Sequence, residues 1–327
     1  MRAITIPTFG GPEVLTLAEL PDPVPDYGEV LISVAAAGVN RSDILQRKGS
    51  YPPPAGAPDW PGLEVSGTVS GLGAGVTGWS IGDRVCALLG GGGYASLAVA
   101  PVGQLLPVPE TLDIVDAAGL PEAVATVWSN VFMLAGLREG ETLLVHGGSS
   151  GIGTMAIQLA RARGCRVAVT ASTPEKLAAC RALGADILVN YREEDFVERV
   201  LADTDGRGAD VILDPIGGDY FGRNLAVLAL RGRIVLIANQ SGTRGELNVR
   251  VLMGKWASVY GTTLRARPIE EKDEIMADLL AKAWPLVESG RVAAVIDSRI
   301  PLADARLAHE RLESSGHIGK VLLIPER

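Results

Sequence analysis

Seven consecutive residues in mid-chain carry the clearest chemistry: Gly147-Gly-Ser-Ser-Gly-Ile-Gly153. They follow the apolar run Thr142–His146 and open a helix-compatible segment, Thr154–Ala162. Within them, Gly151-x-Gly153-x-x-Ala156 has the spacing of a dinucleotide turn. The first glycine makes the tight turn, the second lets a pyrophosphate approach the backbone, and the small third residue lets helix and strand pack closely. The amides of a helix N-terminus add about half a positive charge. Ser149, Ser150, Gly151, Ile152 and Gly153 are therefore expected to line the phosphates of a dinucleotide. The next apolar run ends Val169-Thr-Ala-Ser-Thr-Pro-Glu-Lys176. A site for NAD usually places an acid at that strand end, where it holds the ribose hydroxyls. Here the hydroxyl of Ser172 and the ammonium of Lys176 stand instead. They would hold a 2′-phosphate that a carboxylate would repel. Tyr191, after the third run, adds a phenolic donor. The expected cofactor is NADP(H).

Other chemistries are excluded by what is missing. Cys86, Cys165 and Cys180 have no zinc spacing and are too few for a disulfide framework, which favours a reducing, cytoplasmic setting. His146, His309 and His317 are scattered and read as surface or packing residues. Tyr191, Tyr220 and Tyr260 are not followed by lysine four positions on, and the glycine turn lies far from the N-terminus; both facts exclude the short-chain dehydrogenases. Thirty basic against 38 acidic residues leave a net charge of −8, a poor match for nucleic acid or an anionic membrane. The long uncharged stretch between Arg84 and Glu110 is broken by Gly90–Gly93, Pro101, Pro107 and Pro109, so it is no membrane helix. The first residues lack the apolar core of a signal peptide.

The elements that must position these residues fall into three stretches. A length of 327 residues favours about two domains. Residues 1 to about 118 hold short β-branched runs (Ile4–Ile6, Val30–Val34, Glu64–Val69, Arg84–Leu88, Tyr94–Val99) punctuated by Gly and Pro. In the middle, apolar runs centred near Val145, Val169, Leu188, Leu213 and Leu236 alternate with helix-compatible segments Thr154–Ala162, Pro174–Leu183, Asp195–Leu201 and Phe221–Leu230. That alternation implies a parallel sheet covered on both faces. The tail carries two helical segments, Glu270–Ser289 and Ala303–Ser314, each followed by a short strand, Ala294–Ile296 and Lys320–Ile324. It is too small to fold alone and is expected to rejoin the β-rich domain. The expected class is α/β, with one domain of residues 1–118 and 268–327 and another of residues 119–267.

A β domain, a mid-chain dinucleotide fold and a returning tail resemble the medium-chain dehydrogenase/reductase superfamily. The likeness is to its zinc-independent quinone oxidoreductases, of the p53-inducible type and, more distantly, zeta-crystallin. It is carried by Val39-Asn-Arg-Ser-Asp-Ile-Leu-Gln-Arg-Lys-Gly-Ser-Tyr-Pro-Pro-Pro54, Pro61-Gly-Leu-Glu-Val-Ser-Gly67, Ala87-Leu-Leu-Gly-Gly-Gly-Gly93, the glycine turn, Ile212-Leu-Asp-Pro-Ile-Gly-Gly218 and Gly316-His-Ile-Gly-Lys320. The resemblance implies a GroES-like catalytic domain and a Rossmann cofactor domain. Zinc alcohol dehydrogenases of the superfamily carry Cys-x-x-Asp and Gly-His-Glu, where this chain has Asn40-Arg-Ser-Asp43 and Gly62-Leu-Glu64; no metal is expected. Without a Lewis acid, the substrate must accept hydride readily, as a quinone or conjugated carbonyl does. The resemblance places Asn40 beside the nicotinamide, where its amide is expected to donate to a substrate carbonyl. Tyr51, on the proline-stiffened loop Gly49–Pro54, is expected either to stack on a flat quinone or to donate its phenolic proton. The resemblance also places Thr126, Ala238, Asn239, Gln240, Thr263, Leu264, Gly319 and Lys320 along the cofactor. Asp43, Glu64 and Asp214 are expected to serve as hydrogen-bond partners, not as general acids. Two alternatives stand beside quinone reduction: an enal, enone or enoyl-thioester reductase, and a non-enzymatic NADPH-binding structural or RNA-binding protein of the zeta-crystallin type. An uncharged, β-branched final strand, Val259–Leu264, leads us to expect a homodimer with a continuous sheet.

Overall fold

The computed structural model describes residues 1–326. In chain order its strands and α-helices are β1 (Arg2–Thr5), β2 (Thr16–Glu19), β3 (Glu29–Val39), α1 (Arg41–Arg47), β4 (Glu64–Leu72), β5 (Arg84–Leu88), β6 (Leu97–Pro101), β7 (Leu105–Pro107) and α2 (Pro121–Val127). There follow β8 (Thr142–His146), α3 (Gly151–Ala162), β9 (Arg166–Ala171), α4 (Pro174–Ala182), β10 (Ile187–Asn190), α5 (Phe196–Asp203), β11 (Ala209–Asp214), α6 (Phe221–Val227), β12 (Leu228–Leu236), α7 (Val249–Lys255) and β13 (Ser258–Gly261). The tail holds α8 (Ile269–Lys282), α9 (Trp284–Glu288), β14 (Ile296–Pro301), α10 (Ala305–Glu313) and β15 (Lys320–Ile324). They form two compact units. The first comprises Met1–Ala125, Leu264–Glu288 and the chain from Ala294; the second comprises Thr126–Thr263 and Ser289–Ala293.

The first unit is built on the long strand β3. Its sheet runs β14-β15-β3-β4-β5-β7, and β6 also pairs with β3. Val30, Ile32 and Val34 repeat at the strand period and enter a core with Ile4, Val65, Val85, Leu105, Val321 and Leu323. The tail does return here. β15 runs antiparallel to β3, with Val321 opposite Val39 and Leu322 opposite Gly38. That register brings Lys320 to Asn40.

The second unit is a six-stranded parallel sheet in the order β10-β9-β8-β11-β12-β13. This is a doubly wound order whose switch point lies between β8 and β11. Every residue of β8 and β11 is buried, as strands covered on both faces require.

Several boundaries differ from expectation. Tyr94 and Ala95 are buried core residues ahead of a strand that begins at Leu97. α6 stops at Val227, because Leu228–Leu230 already belong to β12. The first tail helix breaks at Ala283, one residue before α9, whose Pro285 has no N–H to donate. The strand expected at 294–296 runs from Ile296 to Pro301, and the last strand of the parallel sheet from Ser258 to Gly261. Residues 119–125 and 264–267 cluster with the first unit, where the sequence suggested the second. Glu122 N–H donates to Glu64 Oε2 (2.9 Å), and Arg265 reaches Gly90 O and Gln46 Oε1 (2.7 Å each). Residues 289–293 cluster with the second, where Gln158 both donates to Ala293 O and accepts from its N–H.

Candidate active site

In the second unit, β8 leads into a turn that only glycines can make. Gly147 has φ +73°, and a Cβ on Gly153 would lie 2.4 Å from Gly147 O and 2.6 Å from Gly148 Cα. Gly153 is thus required by the turn itself, a reason that precedes any phosphate. Ser150 caps α3, its Oγ accepting from Gly153 N–H (3.0 Å). The next two amides, of Gly151 and Ile152, have no acceptor among the described residues. Free amides at a helix N-terminus suit an anion.

A buried network fixes the strand ends around this turn. Asn224 Nδ2 donates to Asp214 Oδ2 (2.8 Å), so its Oδ1 faces His146 Nε2 (2.8 Å). The proton of His146 therefore sits on Nε2, and Nδ1 accepts from the Thr170 hydroxyl (3.1 Å). Thr170 Oγ1 in turn accepts from Gly147 N–H (3.3 Å). Burial lowers the His146 pKa to about 4 and keeps the ring neutral. Asp214 also caps the turn beyond β11 through Ile216 and Gly217 N–H (2.6 and 3.1 Å), as expected of it.

Ser172, Lys176 and Tyr191 come to the carboxyl ends of the adjacent strands β9 and β10. Asn190 is the partner of Ala171 in the sheet, and Tyr191 N–H donates to Ala171 O (3.2 Å). Lys176 lies in the first turn of α4, which Thr173 caps. On the far side of the switch point, Ala238, Asn239 and Gln240 follow β12, and Thr263 follows β13. Thr126 lies near the end of α2 and is buried.

The first unit holds Asn40, Tyr51, Leu264, Gly319 and Lys320. Asn40 stands between β3 and α1, with its N–H donating to Asp43 Oδ2 (2.7 Å). The Lys320 ammonium contacts Glu64 Oε1 (2.5 Å), Asn40 Oδ1 (2.7 Å) and Val39 O (3.3 Å). Asn40 Nδ2 donates to Glu64 Oε1 (2.9 Å) and, more weakly, to Gly38 O (3.4 Å). An ammonium can only donate and a carboxylate can only accept, so the orientation of the amide is forced. The donor role expected of Asn40 is not what this geometry offers: its Nδ2 is engaged by Glu64 and its Oδ1 by Lys320, both inside the unit. Lys320, expected along the cofactor, has all three ammonium hydrogens engaged within the unit. Its side chain supports Asn40. Gly319 has φ +86°, and a Cβ there would lie 2.1 Å from Val295 O, so the glycine is a backbone requirement. Leu264 is buried.

Behind Asn40 runs a directed chain of buried groups. Arg47 Nη1 donates to His309 Nδ1 (3.2 Å), His309 Nε2–H donates to Tyr94 OH (3.1 Å), and Tyr94 donates to Asp43 Oδ2 (3.1 Å). Burial lowers His309 to about 3 and raises Asp43 to about 6. Tyr51, beyond α1, is half-buried. The Arg265 guanidinium lies 5.4 Å from the centre of its ring and donates to its carbonyl (3.4 Å). Burial, helped by Glu122, raises the Tyr51 pKa against the opposing charge of Arg265. The phenol is therefore protonated at neutral pH, a donor and not a base. The sequence reading missed Arg265, Tyr94 and the part played by His309. Only the position of Arg265 directly after Thr263-Leu264 hinted at it.

The residues at the superfamily's metal position do not fit zinc. They offer an amide, the isobutyl group of Leu63 and a carboxylate already paired with an ammonium. Among the described residues, no three His, Cys, Asp or Glu side chains are grouped so as to hold a metal ion.

Comparison with known proteins agrees with this architecture. Residues 26–110 match the alcohol dehydrogenase GroES-like domain, and residues 151–282 match the family described as zinc-binding dehydrogenase. The quinone oxidoreductase of Rattus norvegicus is 36% identical over 99% of this chain and 98% of its own. That of Pseudomonas aeruginosa is 33% identical over 99% of both. The crystal structure of Escherichia coli quinone oxidoreductase complexed with NADPH superposes with a TM-score of 0.88 at 32% identity, covering 99% of this chain and 100% of that one. With full-length relatives at this identity, the chain belongs to the quinone oxidoreductase family of the medium-chain dehydrogenase/reductases.

Proposed function

We propose that this protein is an NADPH:quinone oxidoreductase that works without a metal. The observation that carries the reading is the pairing of Lys320 with Glu64 and Asn40, which fills the superfamily's metal position with an ammonium. With no Lewis acid to polarise a carbonyl, the acceptor must be intrinsically electron-poor, and a quinone is. The relatives named as quinone oxidoreductases support the same substrate class.

The parallel-sheet unit is the cofactor domain and the β-rich unit is the catalytic one. Gly151 and Ile152 N–H receive the pyrophosphate, while Ser172, Lys176 and Tyr191 receive the 2′-phosphate. When bound, NADPH supplies a hydride. Glu64 and Lys320 hold the Asn40 amide in a fixed orientation, and Tyr51 offers a phenolic proton to the reduced oxygen. Arg265 holds the Tyr51 ring and favours the phenolate that proton transfer leaves behind.

The second unit is also suited to self-association. β13 is an uncharged edge of the sheet, and Leu230, Leu247, Val249, Met253 and Trp256 are exposed on the same unit. A two-fold dimer pairing the β13 edges would make one continuous sheet. The three cysteines are buried free thiols, in keeping with a cytoplasmic setting.

The test is NADPH oxidation by the purified protein with benzoquinones, naphthoquinones, 2-enals and crotonyl-CoA. The expected result is the highest kcat/KM with a quinone. Preference for an enal or the thioester would move the assignment to an enoyl-type reductase. NADPH binding with no turnover of any acceptor would leave a binding protein.

A further inference from the structure

After α2 the chain continues as a wide helical segment, Trp128–Leu134, in which Ala135 N–H reaches back five residues to Asn130 O (3.0 Å). Such π-type turns are rare and concentrate at functional sites. The side chain of Asn130, 2% exposed, sits at the heart of this one. Its Nδ2 donates to Thr126 O (2.8 Å) and to Ser129 Oγ (3.4 Å). A carbonyl can only accept, so Thr126 fixes which amide atom faces it. Oδ1 therefore faces Thr262, whose hydroxyl donates to it at 2.5 Å. Thr262 N–H in turn donates to Leu236 O, at the end of β12 (3.1 Å). One buried amide thus ties the end of α2 to the residue that follows β13 and, through it, to the last residue of β12, all within the second unit.

The place of this tie in the sheet gives it meaning. In a doubly wound sheet, the adenosine half of a dinucleotide lies at the end of the second strand. Here that is β9, with Ser172, Lys176 and Tyr191 beside it. The other half crosses the switch point between β8 and β11, toward β12 and β13. We propose that Asn130 is a positioning residue that holds Thr126 and Thr262–Thr263 in place as the wall for the nicotinamide half of the cofactor. The proposal rests on the NADPH reading above.

The test is titration calorimetry with two ligands, NADPH and adenosine 2′,5′-bisphosphate. The second carries the 2′-phosphorylated adenosine but neither the nicotinamide nor its ribose. Losing one such hydrogen bond corresponds to about a tenfold change in affinity. Asn130→Ala is expected to weaken NADPH by about that factor and to leave the bisphosphate unchanged. Thr262→Val keeps the side-chain shape and removes the hydroxyl, so it gives the same selective loss without emptying a buried site. Thr262→Ser restores the hydroxyl and binds NADPH as the parent does. Equal weakening of both ligands, or unchanged NADPH affinity in Asn130→Ala and Thr262→Val, overturns the proposal. A parent protein that binds neither ligand overturns the cofactor reading itself, and the two failures are thereby told apart.

Discussion

Lys176 and Lys320 carry the same charge in opposite settings. Lys176 stands in the first turn of α4 at a strand end without a carboxylate, where we propose that its ammonium meets a 2′-phosphate. A charge-assisted hydrogen bond is worth about 1.5–3 kcal/mol, so Lys176→Ala should lower the preference for NADPH over NADH by about 10–100-fold, read from kcat/KM with each cofactor. Unchanged selectivity would remove Lys176 from the site. Lys320 is buried against Glu64, which is itself fully buried. Lys320→Met leaves that carboxylate without its counter-charge and should cost about 3–5 kcal/mol in urea unfolding, with partial recovery in Lys320→Met/Glu64→Gln. A single-variant cost below about 1 kcal/mol would show that the pair is not what holds Asn40. The position of the first lysine, in a helix turn just after a strand end, was legible in the sequence because it is local. The pairing of the second was not, because its partner Asn40 lies 280 residues away and only the β15–β3 register brings them together.

Strands and helices with a strong repeat were legible for a physical reason. β8 and β11 have apolar centres and are buried throughout because both faces of the parallel sheet are covered, and β3 alternates because its two faces differ. The π-type segment after α2 was not legible, since no local residue pattern marks it and its Asn130 meets Thr262 across 132 residues of chain. The ends of α6 and of the first tail helix were misjudged where an apolar residue served strand and helix equally well, or where one proline interrupted a good helical pattern. At this scale His146 makes a pH prediction. Its folded pKa is lowered to about 4 by burial, below the unfolded value of 6.5. The unfolded chain therefore binds the extra proton first. Stability is complete above about pH 6.5 and is lost as pH falls toward 4, by about 3 kcal/mol from this residue. His146→Gln should unfold with a shallower acid dependence over that window, measured by urea titration at several pH values. An unaltered slope would mean that the ring is not held neutral.

As a whole, the chain joins a β-rich unit that holds Asn40 and Tyr51 and a parallel-sheet unit that holds the glycine turn, Ser172, Lys176 and Tyr191. The division into two kinds of sheet was readable from strand length and apolar continuity, and the return of the tail from its small mass. The exact seams were not, because Arg265 and Gln158 set them through hydrogen bonds to distant backbone. Sedimentation should find a dimer at micromolar concentration, and Met253→Lys, which replaces one of the exposed apolar residues of the second unit with a charge, should yield monomers. A parent protein that sediments as a monomer would contradict the edge-to-edge arrangement. This scaffold is expected to hold NADPH without a metal. Titration calorimetry on chelator-treated protein should find one NADPH per chain, at least tenfold tighter than NADH, with affinity unchanged by added zinc. No heat with NADPH, or binding that appears only when zinc is restored, would contradict it.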